Sequence, residues 1–162
     1  MSSNDISNAR NPEQIRRMRL LQEHGLCYFC KQGSAEDRTL PVTWYEGERW
    51  YVMQNDWPLE GSIHHYILIP RRHITLPHQL SDVERKEQGN LERMLMTKLD
   101  VSGYSMFVRA GDTRLTGATL THLHYHFIVG GLKPENLQFE ELKNQLALLP
   151  ILPVILGFKF QK

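Results

Sequence analysis

Two short stretches of this chain hold side chains suited to chemistry. The first is HLHYHFIVG, His122 to Gly130, where three histidines alternate with Leu123 and Tyr125 ahead of an apolar run. The second is CYFC, Cys27 to Cys30, which holds the only two cysteines. Along a β-strand, residues i, i+2 and i+4 share a face and stand about 6.5–7 Å apart. His122, His124 and His126 are therefore expected to project together, with Leu123, Tyr125 and Phe127 on the core side. Neutral imidazole is nucleophilic near pH 7, and its phosphoryl adduct carries a good leaving group. A neighbouring histidine could orient it or shuttle a proton. A single tetrahedral metal held by all three is disfavoured, because metal–nitrogen bonds of about 2.0–2.1 Å do not reach easily from both ends of the row. One or two of the three could still be ligands.

The cysteines admit three chemistries. A disulfide across so short a loop would constrain the unfolded chain little. A thioredoxin-like redox motif should open a helix after a strand, whereas this one follows a helix. Zinc ligation remains, and it needs two more donors. With no further cysteine, the candidates are His24, His64, His65, His73, His78 and the three histidines of the first stretch. A third feature, Gly117-Ala118-Thr119, approaches the histidines from a loop. There glycine lets backbone N–H groups come close to an anion, and the threonine adds a hydroxyl.

The elements that must position these residues follow from pattern. Residues 1–10 are polar and expected to be disordered. Asn11-Pro12 opens a helix that Gly25 closes, and CYFC follows in a turn. LPVTWY and RWYVMQ flank a Gly-containing loop and predict a β-hairpin. His65 to Pro70 is a third strand, stopped by its proline. Ser81 to Glu84 forms a capping box for a helix reaching about Leu99, with Leu91, Met94, Leu95 and Leu99 on one face. Tyr104 to Ala110 is a fourth strand, a loop carries Gly111 and Gly117, and the histidine segment is the fifth. A shorter helix is expected from Lys133. Residues 11–162 are thus one α+β domain, an antiparallel sheet with helices packed on it.

With 162 residues, 23% charged and 41% hydrophobic, the composition is that of an ordinary globular domain. Nineteen Lys and Arg against 18 Asp and Glu give a net charge of +1, so duplex nucleic acid and anionic membranes are not expected partners. The N-terminus has no apolar signal core, and Leu146 to Phe158 is too short to span a bilayer and is broken by two prolines. A cytoplasmic protein is the expectation.

Over roughly residues 25–131 the chain resembles the histidine-triad (HIT) superfamily. HLHYHFIV matches its alternating histidine pattern. CYFC, QNDWPLEG, HHYILIPRRHITLP and the Gly-Ala-Thr loop agree in order and spacing. The resemblance implies the HIT-like fold, α+β, with an antiparallel sheet of about five strands and flanking helices. It implies hydrolysis of P–O–P or P–N bonds at the α-phosphate of dinucleoside polyphosphates or nucleoside phosphoramidates. His124 would be the nucleophile, forming a nucleotidyl-histidine intermediate, and His126 its helper. Asn55, His65, Gly117 and Thr119 would contact the substrate, and the protein would be a homodimer. Resemblance to the zinc-containing branch, which includes galactose-1-phosphate uridylyltransferase, implies one structural zinc on Cys27, Cys30, His73 and His122. Uridylyltransferases and diadenosine tetraphosphate phosphorylases carry glutamine at the place of His126, which favours a hydrolase over nucleotidyl transfer or phosphorolysis. A regulatory module that binds nucleotide with negligible turnover is the alternative from another class. Several family members carry an asparagine or glutamine at the position of Gly111. Arg109, Asp112 and Arg114 are the candidates to replace it.

Overall fold

A computed structural model describes residues 5–9, 11–30, 43–59 and 62–130. The helix expected from Lys133 and the apolar stretch from Leu146 lie outside the described residues. Five strands form one antiparallel sheet: β1 (Thr43–Glu46), β2 (Trp50–Gln54), β3 (Ser62–Pro70), β4 (Ser105–Val108) and β5 (Tyr125–Gly130), in the order β1-β2-β3-β5-β4. Helices α1 (Pro12–Glu23) and α2 (Asp82–Leu99) pack with it.

Each helix starts where its cap is written. The Asn11 side chain accepts the Gln14 N–H at 2.8 Å, with proline in the first turn of α1. Ser81 and Glu84 exchange hydrogen bonds across the first turn of α2, and Asp100 ends that helix in the left-handed region at φ 52°. The apolar face of α2 buries Leu91 and Leu95, each contributing about 2 kcal/mol. They join Trp50, Val52, Tyr66, Leu68, Leu123 and Phe127 in one core. Strand alternation sends Tyr51, Met53, Ile67 and Ile69 to the other face, where they meet Met18 of α1, Phe29 and Leu120. The sheet is therefore sandwiched between two apolar clusters, and the histidines belong to the second side.

Three expectations are corrected. The histidine segment is a strand only from Tyr125 onward. β3 ends at Pro70, the last β3–β5 rung is Leu68 with Tyr125, and the Leu123 N–H turns to the Ile74 carbonyl at 2.7 Å. His122 and His124 thus sit in an irregular lead-in, with a bend at His122, that has peeled off the ladder. The alternation survives there: Leu123 enters the α2-side core, while the rings of His122 and His124 lie against Phe29.

The loop before them holds a one-turn helix, α3 (Thr113–Thr116), capped by Asp112 and closed by Gly117 at φ 67°. Its Leu115 is exposed, so it had no apolar periodicity to announce it.

Residues 5–9 are ordered. A 3-10 turn spans Ile6–Asn8, and the Asp5 N–H donates to the Thr119 carbonyl at 2.8 Å. The Asn8 amide donates to the carbonyls of Ala118 (2.9 Å) and Thr113 (3.2 Å). The Thr113 carbonyl also accepts the Gly117 N–H at 2.8 Å, so Asn8 fills its second lone pair and the polar segment ties itself down on the loop.

Candidate active site and metal centre

Cys27, Cys30, His73 and His122 converge so that one ligand atom from each lies within 4.8 Å of the others. The Cys30 sulfur is 3.0 Å from Nδ1 of His73 and 3.4 Å from Nδ1 of His122, and the Cys27 sulfur is 3.5 Å from the same His122 nitrogen. Zinc–sulfur and zinc–nitrogen bonds at a tetrahedral angle would separate such atoms by about 3.5 Å. The far nitrogen of His122, Nε2, lies 2.9 Å from the Pro70 carbonyl and donates to it. That bond fixes the tautomer, leaving the Nδ1 lone pair toward the thiols, as metal-ligating histidines require. Burial pushes the His122 pKa down to about 4, against the Pro70 carbonyl, which favours the charged ring. Donor type, spacing and tautomer all fit zinc. With four protein ligands no position is open for substrate, so the ion would be structural.

His124 is turned by a different bond. Its Nδ1 lies 2.8 Å from the carbonyl of His122 and donates to it, which places the lone pair on Nε2. The ring is buried, 5.0 Å from Phe29 and 5.0 Å from the ring of His126. Burial lowers its pKa to about 4, the His122 carbonyl opposes this, and the nearby charge of Arg109 adds to it. Neutral imidazole with its lone pair on Nε2 is the nucleophilic form.

His126 receives its tautomer through a relay. The Leu59 N–H donates to Nδ1 of His65 at 3.0 Å, so the proton of His65 is on Nε2. That Nε2 lies 2.8 Å from Nδ1 of His126 and donates to it. His126 therefore carries its own proton on Nε2. Its ring is stacked on Phe107 at 4.6 Å, and the two sit on one rung of the β4–β5 ladder.

Asn55 is engaged within the protein at both ends of its side chain. Its amide nitrogen lies 3.3 Å from Nδ1 of His65, the ring atom with the lone pair, and its carbonyl accepts the Trp57 N–H at 3.0 Å. Gly117 is committed as well: its N–H closes α3 on Thr113 at 2.8 Å, and its carbonyl accepts Nη1 of Arg109 at 3.1 Å. A side chain at Gly117 would meet open space, so glycine is required there by its positive φ. Thr119, two residues on, is half-buried.

His24, His64 and His78 stand apart. His24 is the C-cap of α1, His78 is exposed, and His64 lies beside Tyr66, on the other face from His65. Sequence reasoning missed Phe29, Phe107 and the Leu59 N–H. Phe29 had a signal, because it stands between two metal ligands. Phe107 had one only in hindsight of its rung with His126.

No protein-family model matches the sequence, and no curated protein matches it. Solved structures do. A HIT family hydrolase from Legionella pneumophila superposes with a TM-score of 0.51 at 20% identity, over 68% of this chain and 97% of that one. A zinc-bound histidine triad family protein from Mycobacterium smegmatis gives 0.46 at 18% identity, over 69% and 86%. A diadenosine triphosphate hydrolase from Plasmodium falciparum gives 0.46 at 17%, over 81% and 91%. The first of these shows the fold: a five-stranded antiparallel sheet with helices, of the HIT-like α+β kind.

Proposed function

We propose that this chain, which has the fold of the histidine-triad proteins, is a nucleotide hydrolase acting at the α-phosphorus of dinucleoside polyphosphates or nucleoside phosphoramidates. One observation carries the proposal. A neutral His124 with its lone pair on Nε2 stands beside a His126 that bears its proton on Nε2. In the first step Nε2 of His124 forms a bond to the α-phosphorus. The P–O or P–N bond to the leaving group breaks, with the Nε2–H of His126 donating a hydrogen bond to the departing atom, which takes its proton from solvent. In the second step water attacks the phosphorus and gives up its proton to solvent, releasing a nucleoside monophosphate and free His124. Splitting one displacement into two eases each, and the N–H of His126 steadies the charge that develops on the leaving atom.

The Gly117–Thr119 loop supports the phosphoryl oxygens, with Thr119 the polar contributor because the Gly117 N–H is already used. Asn55 contributes through His65, and His65 through His126. Zinc on Cys27, Cys30, His73 and His122 would tie the segment after α1 to the histidine lead-in and would leave the chemistry to His124. A homodimer belongs to the same proposal. Among the described residues no helix is long and apolar enough to cross a membrane.

His124→Ala tests the mechanism. Turnover of adenosine phosphoramidate and diadenosine polyphosphates should disappear, and unchanged turnover would refute it. A transferase would share the first step, but His126 stands where those relatives carry glutamine. Product analysis on adenosine phosphoramidate with and without added phosphate separates the two, and nucleoside diphosphate formed only when phosphate is added would overturn hydrolysis.

A further inference from the structure

We propose that Phe107 is a positioning residue for His126: its phenyl face fixes the plane of the imidazole, and with it the direction in which Nε2–H points at the leaving atom. The inference rests on the nucleotide reading above and adds how the donor of that reading is aimed.

Alternation decides where Phe107 faces. Its neighbours on β4, Met106 and Val108, pack against the α2-side core, so Phe107 turns to the other side of the sheet. There it meets His126, its partner on the β4–β5 rung, with ring centres 4.6 Å apart and planes 14° apart. Among the described residues Phe107 belongs to neither apolar cluster, although it is half-buried. A phenyl ring inside a core is explained by packing alone. This one lies against an imidazole, with the guanidinium carbon of Arg109 5.7 Å from its centre.

The stack does what the relay from His65 cannot. That relay sets which nitrogen of His126 carries the proton, and it holds the ring at one atom, Nδ1, at 2.8 Å. A single hydrogen bond tolerates a range of angles, and the Cβ–Cγ torsion of histidine has broad wells. Rotation about that torsion would carry Nε2–H away from the leaving atom. The rings of His65 and His124 stand at 54° and 62° to His126, while Phe107 lies nearly parallel to it. Tilting the imidazole out of that stack loses the contact, so an offset stack of this kind favours one plane by a factor of about two to ten. His65 fixes the tautomer and Phe107 the plane.

The test measures kcat and KM on two esters of AMP, one with nitrophenol, a good leaving group, and one with phenol, a poor one. Phe107→Leu keeps apolar bulk and removes the flat face. It should lower kcat on the phenol ester about two- to tenfold, the size of the lost stack, and less on the nitrophenol ester, with KM unchanged. Phe107→Tyr, which keeps the ring, should restore kcat. In a His126→Gln background Phe107→Leu should have no further effect, a coupling that a merely structural role would not produce. Unchanged kcat on the phenol ester, the same loss in the His126→Gln background, or no recovery in Phe107→Tyr would overturn the assignment of Phe107 alone. A wild-type protein that hydrolyses neither ester would overturn the nucleotide reading itself. Should a variant fail to fold or leave no turnover to follow, wild type decides by NMR. The ring protons of His126 must be shifted upfield by the phenyl face, and unshifted protons would refute the stack.

Discussion

Stripping the metal from this protein should destabilise it by a predictable amount. Zinc on Cys27, Cys30, His73 and His122 would cross-link the segment after α1 to two distant places, 43 residues away at His73 and 95 or 92 away at His122. Treated as a chain cross-link, closing the 43-residue loop alone is worth about 4 kcal/mol. For a chain of this size that corresponds to a fall of about 8–16 °C in Tm. The α2-side core contains none of the four ligands, so the sheet should stay folded in the metal-free protein at room temperature. Thermal melting followed by circular dichroism, before and after chelation and with metal content measured in both samples, reads the effect. Cys30→Ala should reproduce it. A purified protein holding about one zinc per chain that melts within ~2 °C of its stripped form would refute the cross-link reasoning.

Three shorter predictions follow from individual contacts. His65→Ala removes the donor that sets the tautomer of His126, so kcat should fall about a hundredfold with little change in KM, and most for poor leaving groups; equal loss for good and poor leaving groups would count against the relay. Asn8→Ala releases the carbonyls of Thr113 and Ala118, and should raise KM for nucleotide while leaving Tm nearly unchanged; an unaltered KM would show that the N-terminal segment does not shape the loop. Glu84 bonds first to Arg72 and then to Ser81, which hold its pKa down to about 2, below the usual 4.5. The stability it adds is therefore full near neutral pH and is lost as pH falls from about 4.5 toward 2, so the Tm gap between wild type and Glu84→Gln should be present at pH 7 and close over that window.

Much of this architecture was legible because local signals and tertiary contacts agree. Both long helices begin at the residues their caps announce, Asn11 and Ser81, since capping is a short-range hydrogen-bond rule. The four cysteine and histidine donors meet as the resemblance implied. What escaped was set by partners distant in sequence. The start of β5 is decided by where Pro70 ends its neighbour, which the periodicity of the histidines cannot show. The order in residues 5–9 comes from carbonyls of a loop more than a hundred residues away. Asn55 and Gly117 carry side-chain or backbone groups already taken by His65, Trp57 and Thr113, commitments invisible in a motif.

The most direct test of the central claim is to trap the intermediate. Wild-type protein would be mixed rapidly with a diadenosine polyphosphate, quenched in base, digested and examined by mass spectrometry. The mechanism predicts one adenylyl group per chain, stable to base and labile to acid as a phosphorus–nitrogen bond should be, on the peptide that contains His124, and absent from His124→Ala. Turnover with no adduct at any mixing time, or an adduct on another residue that persists in His124→Ala, would contradict it.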